Sequence, residues 1–202
     1  MTDKRTLEYY NKNSIYLAEK YSKVIGGVEL NFKDFFINCI NILEIGFGSG
    51  RDLNFLFKMG FDVLGVDISE NMLKESIKYY PILKDKVIVD SLPRLEKIKD
   101  KGFDGVLASA ILMHLRKDIL TESIQTIKRV LRENGKVLIS IPTFRENIND
   151  NRDQFDRFFN GITSKEIINL FEKEDFELIF KKESLDAMRR GYGWCTLGFK
   201  KL

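Results

Sequence analysis

Cysteine and histidine are scarce in this chain, and long apolar runs are missing. Two cysteines, Cys39 and Cys195, occur in 202 residues. Their separation holds no metal and staples no small secreted scaffold, so both read as reduced thiols, Cys195 within a strand. No cluster of metal-ligating residues is visible, so no metal is expected. No apolar run approaches the roughly 20 residues of a membrane span. The first residues, MTDKRTLEYYNKNS, lack the apolar centre of a signal peptide. The expected compartment is the cytoplasm, with no membrane partner. Neither charge sign dominates: 33 basic and 30 acidic residues leave a net charge of +3, too little to imply nucleic acid by itself. The surplus gathers late. Residues 181–202 hold Lys181, Lys182, Arg189, Arg190, Lys200 and Lys201 against Glu183 and Asp186. That stretch reads as a solvated surface or, alternatively, as an edge for an anionic substrate or RNA.

Apolar residues, at 44%, supply a full core, and 202 residues suit one compact domain. Short, continuously apolar runs recur at 41–46, 61–67, 86–90, 103–109 and 136–142. Continuous rather than alternating runs fit parallel strands covered on both faces. Between the last two, residues 116–131 place Ile119, Leu120, Ile124, Ile127, Val130 and Leu131 on one helical stripe, which Asn134-Gly135 is expected to end. The strand–helix alternation predicts an α/β fold, a doubly wound and mostly parallel sheet. Residues 2–23 carry a polar, Tyr-bearing helical pattern, taken with its extension to residue 30 as an N-terminal cap. Residues 143–162 read as an inserted loop, too long for a routine connection. Thr163 and Glu166 stand at capping-box spacing. Only about eleven residues separate "FELIFKK" from "WCTLGFKK", which suits an antiparallel hairpin better than a crossover.

The stretch LEIGFGSGRDL, Leu43 to Leu53, places three glycines in five positions between an apolar run and a helical one. Glycine permits positive φ and close approach of a ligand to the backbone. A strand-to-helix turn also aims amide groups and a dipole end at that ligand. Asp67 ends the second run and can bind ribose hydroxyls; Asp90 ends the third. The place of the third glycine in a dinucleotide fingerprint is taken by Arg51. Glu44 beside the turn would repel a pyrophosphate but suits an ammonium or sulfonium, and S-adenosylmethionine carries both groups and an adenosine. Its carboxylate suits Arg51 or the loop amides.

With "EIGFGSG", "VLGVDIS", "VIVDSL", the pattern around "FDGVLASAILMHL" and a final "WCTLGFKK", residues 40–200 resemble the class I S-adenosylmethionine-dependent methyltransferases. That resemblance implies a Rossmann-like sheet of seven strands with an antiparallel last strand. It also implies S-adenosyl-L-methionine as cofactor. Glu44, Gly46, Gly48, Gly50 and Arg51 would face its methionine part. Asp67 would hold the ribose, Ile68 and Met72 would pack near the adenine, and Asp90 would meet the adenine amino group beside Ser91 and Leu92. Ser109 would sit near the transferred methyl. Ordinary core packing is an equal reading for Ile68 and Met72.

Methyl transfer asks mainly for alignment and exclusion of water, with a base where the acceptor loses a proton. His114, the one histidine, follows the fourth strand and is the candidate base; a packing or capping histidine is the competing reading. Arg157 and Phe158 in the insertion, with Tyr192 before the last strand, are candidate acceptor contacts for a small, partly aromatic or anionic molecule. An ordinary loop anchored by aromatics would look the same. "SAILMHL" lacks the Asn/Asp-Pro-Pro-Tyr motif of DNA amino-methyltransferases, and no nucleophilic Cys stands there. A small-molecule O-, N- or S-methyltransferase is therefore the leading expectation. An RNA or protein methyltransferase, and a cofactor-binding subunit without its own turnover, stay open.

Overall fold

The computed structural model describes residues 3–143 and 148–202. Seven strands form one sheet: β1 (Asn41–Ile45), β2 (Asp62–Asp67), β3 (Val87–Val89), β4 (Phe103–Ser109), β5 (Leu131–Pro142), β6 (Phe176–Leu185) and β7 (Gly193–Lys201). Their order is β3-β2-β1-β4-β5-β7-β6. β1 to β5 pair in parallel, and β7 runs antiparallel to both β5 and β6. The expected α/β sheet with a terminal hairpin is therefore present.

The continuous apolar runs have a direct cause. Alternate residues of one strand feed two different cores. On β1, Leu43 and Ile45 pack with Val106, Val137 and Ile139 on one face, while Ile42 joins Leu107 and Leu138 on the other. The first face is covered by α6 (Leu120–Val130) and α7 (Ser164–Lys173), through Ile124, Ile127, Ile167 and Phe171. The second is covered by α3 (Phe32–Phe35) and α4 (Arg51–Lys58), through Phe32, Phe35, Leu53 and Leu56, with α5 (Glu70–Tyr79) beside them. Thr163 and Glu166 form the predicted capping box at the start of α7. Cys195 lies buried in β7, and both cysteines are free thiols.

One expectation fails locally. Asn134-Gly135 does not end the helix. α6 stops at Val130, and β5 begins at Leu131, with Asn134 at φ +61 inside it. The register slips there, Phe103 pairing with Leu131 but Gly105 with Lys136. The turn-forming dipeptide makes a bulge, a job for which positive φ suits it as well.

The N-terminal pattern is two helices, α1 (Lys4–Lys12) and α2 (Ser14–Ser22), broken at Asn13. Asp3 caps α1 by accepting from the Thr6 amide at 2.9 Å. α1 is strapped to the segment before α7: Arg152 donates to both oxygens of Asp3 (3.1 and 2.8 Å), and the Phe158 amide donates to Thr6 Oγ1 at 2.8 Å. Ser69, at the start of α5, donates to Asn11 at 2.6 Å.

Candidate functional site

A cavity of about 270 Å³ opens at the carboxyl ends of β1, β2, β4 and β5. This is where parallel sheets bind ligands, because the strand order reverses between β1 and β4. α1 and α2 roof it, through Thr6, Leu7, Tyr10 and Tyr21. The hairpin connection between β6 and β7 closes the far side.

The glycine loop forms the floor. Gly46, Gly48 and Gly50 all hold positive φ (+73, +52 and +78). At Gly46 a Cβ would also stand 2.9 Å from Ile111 Cδ1, so the bare backbone answers both strain and space. The amides themselves are not turned outward. Gly46 donates to the Val66 carbonyl (2.7 Å), Gly48 to Asp67 Oδ2 (2.9 Å) and Gly50 to the Phe47 carbonyl (2.9 Å). Tight turning therefore engages all three glycine amides within the loop itself.

Glu44 lies 2% exposed at the end of β1, on the cavity wall. Its Oε2 is buried, with no hydrogen-bond partner among the described residues. Burial pushes its carboxyl well above the ordinary range; nearby Asp52 and Asp67 add to this, and Arg51 opposes it. Buried polar atoms are nearly always paired, so this one is an outlier aimed at the cavity.

Arg51 also reaches the cavity, but its guanidinium is engaged by Asp52 (2.6 Å) and by Glu29 (3.3 Å). Its expected role toward a carboxylate therefore competes with two buried carboxylates. Asp67 lines the cavity while accepting from the Gly48 and Ser69 amides (2.9 and 2.8 Å). Ile68, Asp90, Ser91, Leu92 and Ser109 line it as well. Asp90 accepts from the Ser91 and Lys97 amides, both at 2.8 Å. Ser109 shares a hydrogen bond with Ser140 (3.0 Å). Met72 is a correction: it does not line the cavity but is 1% exposed behind the loop, 3.9 Å from where a Gly48 Cβ would be.

His114 is 3% exposed, in the short turn after β4, and lines the cavity. Nδ1 lies 2.6 Å from the Phe158 carbonyl and Nε2 lies 3.3 Å from the Tyr10 hydroxyl. A carbonyl only accepts, so Nδ1 carries a proton donated to Phe158, and Nε2 faces the Tyr10 hydroxyl. Arg157 Nη1 stands 3.5 Å from the same hydroxyl. Desolvation pushes the Tyr10 phenol far above its ordinary value, so it stays a donor.

Arg157 is buried and bound to Asp153 through Nε (2.9 Å) and Nη2 (2.5 Å), with its guanidinium over the rings of Tyr9, Phe155 and Phe159. Phe158 is another correction: Phe159, not Phe158, lines the cavity, because the Phe158 backbone is held toward α1 and His114. Tyr192 and Trp194 line the cavity as a ring pair 5.9 Å apart, with Arg190 over Tyr192. Arg190 is bound to Asp186 at 2.9 and 2.6 Å, and Trp194 Nε1 donates to the same carboxylate at 2.8 Å. Sequence reasoning missed Glu29, Asp153 and Asp186. The signal available for the last two was an Asp four residues before an Arg, twice, outside any helix. Part of the predicted insertion, residues 144–147, lies outside the described residues.

Residues 43–139 match the protein family described as "Methyltransferase domain". A probable S-adenosyl-L-methionine-dependent methyltransferase, TehB, of Haemophilus influenzae is 26% identical over 139 residues, covering 66% of this chain and 47% of that protein. The chain therefore spans about half the length of that curated relative. A crystal structure of a Pyrococcus horikoshii OT3 protein superposes with a TM-score of 0.73 at 21% identity, covering 96% of this chain and 99% of the other. The Burkholderia thailandensis 1,6-didemethyltoxoflavin-N1-methyltransferase, solved with 1,6-didemethyltoxoflavin and S-adenosylhomocysteine, gives the same TM-score at 18% identity, with 96% and 84% covered. At those identities the structures show the shared fold.

Proposed function

We propose that this chain, whose residues 43–139 match a methyltransferase-domain family, is a class I S-adenosylmethionine-dependent methyltransferase that binds S-adenosyl-L-methionine in this cavity and methylates a small-molecule acceptor. The observation that carries the reading is Glu44. An orphaned carboxyl facing a cavity wants a cation, and Asp52 and Asp67 close by add to the negative field. A ligand bearing an ammonium and a sulfonium fits that field; a pyrophosphate does not.

Glu44 and the turn at Gly46–Gly50 would hold the methionine end. Asp67 would take the ribose with the acceptor sites that its two backbone hydrogen bonds leave. Ile68, Asp90, Ser91 and Leu92 would enclose the adenine, and Ser109 would stand between cofactor and acceptor. When bound, S-adenosylmethionine supplies a methyl group already activated on sulfur. The chain's own task is then alignment and exclusion of water, which the roof of α1 and α2 serves.

His114 is proposed as the base. Nδ1–H is pinned by the Phe158 carbonyl, so Nε2 is the accepting nitrogen. An acceptor hydroxyl or amine that replaces the Tyr10 hydroxyl at Nε2 would give its proton there. The roofed cavity favours a small acceptor over RNA or a protein surface. A neighbour of the same fold, an N1-methyltransferase solved with 1,6-didemethyltoxoflavin and S-adenosylhomocysteine, agrees with this.

The test is incubation of the purified protein with methyl-labelled S-adenosylmethionine and a cell extract. Label is expected in the small-molecule fraction. Label confined to RNA or protein would overturn the acceptor class, and label nowhere despite cofactor binding would favour a subunit without turnover. In the same assay His114→Ala is expected to lose most turnover while keeping cofactor affinity. Full turnover would remove the base role.

A further inference from the structure

Three carboxyls line the floor of the cavity, Glu44, Asp52 and Asp67, and they are not alike. Asp52 and Asp67 have the partners that an anion needs. Asp52 accepts from Arg51 Nε at 2.8 Å, and Asp67 accepts from the Gly48 and Ser69 amides at 2.9 and 2.8 Å. Glu44 is more buried than either, and its Oε2 has no hydrogen-bond partner among the described residues. Its surroundings bring no compensation. Beside it in the sheet stand Gly65 of β2 and Leu107 of β4, neither of which carries charge. α4 contributes Asp52, a like charge, and Arg51, whose guanidinium is shared by Asp52 at 2.6 Å and Glu29 at 3.3 Å. The end of β2 contributes Asp67, a second like charge. An ionised Glu44 would lack solvent and face two anions for one shared cation.

We infer that Glu44 carries a proton until S-adenosylmethionine binds and then releases it to solvent, the ligand's ammonium taking over as the neutralising charge. The inference rests on the reading above that this cavity holds S-adenosylmethionine. The bond that breaks is the O–H of the carboxyl. The proton leaves to water or buffer, and the ammonium enters already protonated, so no other group changes its charge. Without a cation, burial and the two neighbouring anions favour the neutral acid. With an ammonium against Oε2, the carboxylate gains a charge-assisted hydrogen bond in a site shielded from water, and ionisation becomes favourable. A ligand that selects the ionised form displaces a proton. Its affinity therefore rises with pH until Glu44 is ionised without it. A nucleoside that lacks the ammonium leaves the proton in place, so the exchange also makes the site selective for the amino-acid end of the ligand.

The test is calorimetry of the purified protein at about pH 6, below the range in which an α-amino group deprotonates. S-adenosylhomocysteine and 5′-methylthioadenosine are titrated in buffers of different ionisation enthalpy, and the dependence of the measured heat on that enthalpy counts the protons released. The second compound keeps the adenosine and lacks both ammonium and carboxylate. S-adenosylhomocysteine is expected to release roughly half a proton or more per molecule, and to bind up to about tenfold tighter for each unit that the pH is raised. For 5′-methylthioadenosine neither effect is expected. Binding of S-adenosylhomocysteine without proton release would overturn the inference alone. Equal release by both compounds would also overturn it, since the proton would then belong to the ribose end, at Asp67. Binding of neither compound would overturn the cofactor reading and the inference with it. Glu44→Gln is expected to abolish the release, and release retained in the folded variant would assign the proton to another group. Should that variant fold poorly, infrared difference spectra of the unmodified protein decide. Loss of a protonated-carboxyl band on adding S-adenosylhomocysteine is expected, and an unchanged band would refute the exchange.

Discussion

Glu44 concentrates the conflict between stability and binding in one carboxyl group. Its pKa is raised in the folded chain, first by burial. The unfolded chain therefore ionises this carboxyl at lower pH than the folded chain does. Glu44 costs little at pH values below the ordinary carboxylate range, and the cost grows as pH rises above it, up to its folded pKa. Glu44→Gln is accordingly expected to raise the thermal midpoint of the ligand-free protein at pH 8 and to change it little at pH 4. The same substitution should weaken S-adenosylmethionine by about tenfold, roughly 1.4 kcal/mol. Thermal melts and calorimetry at both pH values check the pair. A destabilised variant with unchanged affinity would show that Glu44 is merely structural. The opposite signs are the mark of a group retained for a ligand rather than for folding.

At the scale of elements, α1 decides whether the cavity is roofed. Asp3 serves two of the contacts that hold it, the cap on Thr6 and the pair with Arg152. Arg152 first, together with Thr6, holds the Asp3 carboxyl down to about 2. A depressed pKa means that this contribution is present above the ordinary carboxylate value and is lost only as pH falls toward 2. Asp3→Ala removes cap and ion pair together and should cost about 1 kcal/mol, in the usual range for an N-cap. Because the two cores lie on the sheet faces and not under α1, the fold should survive. Acceptor KM should rise several-fold, and hydrogen exchange should quicken in residues 4–12 while β1 and β4 stay protected. Uniform acceleration across the sheet would contradict this division.

For the whole molecule, a ligand that binds only the folded chain must stabilise it by mass action. S-adenosylhomocysteine at 100 times its Kd should add about 2.7 kcal/mol, read as a concentration-dependent rise in the thermal midpoint. A flat midpoint up to millimolar ligand would count against the cofactor site. Much of this molecule is legible along the chain. Apolar runs between helical stripes gave the parallel strands, the short spacing near the end gave the hairpin, and three glycines after an apolar run located the cavity floor. Glu44, Asp67 and Asp90 could be placed there because each sits at or next to the end of a strand, and parallel strands end together. These are short-range properties: side-chain periodicity, turn chemistry and strand polarity act over a few residues. Compensation of charge does not. Arg51 meets Glu29 across 22 positions, and Tyr10 meets His114 across 104. Which arginine is already matched, which groups His114 faces, and that Met72 lies behind the loop rather than on the cavity wall were decided only when the sheet brought distant segments together. Sequence alone determined where the cavity at the strand ends lies and that Glu44 stands on its wall. Tertiary structure decided which of its charges are left unmatched, because burial makes each unpaired charge costly and the fold selects the partners.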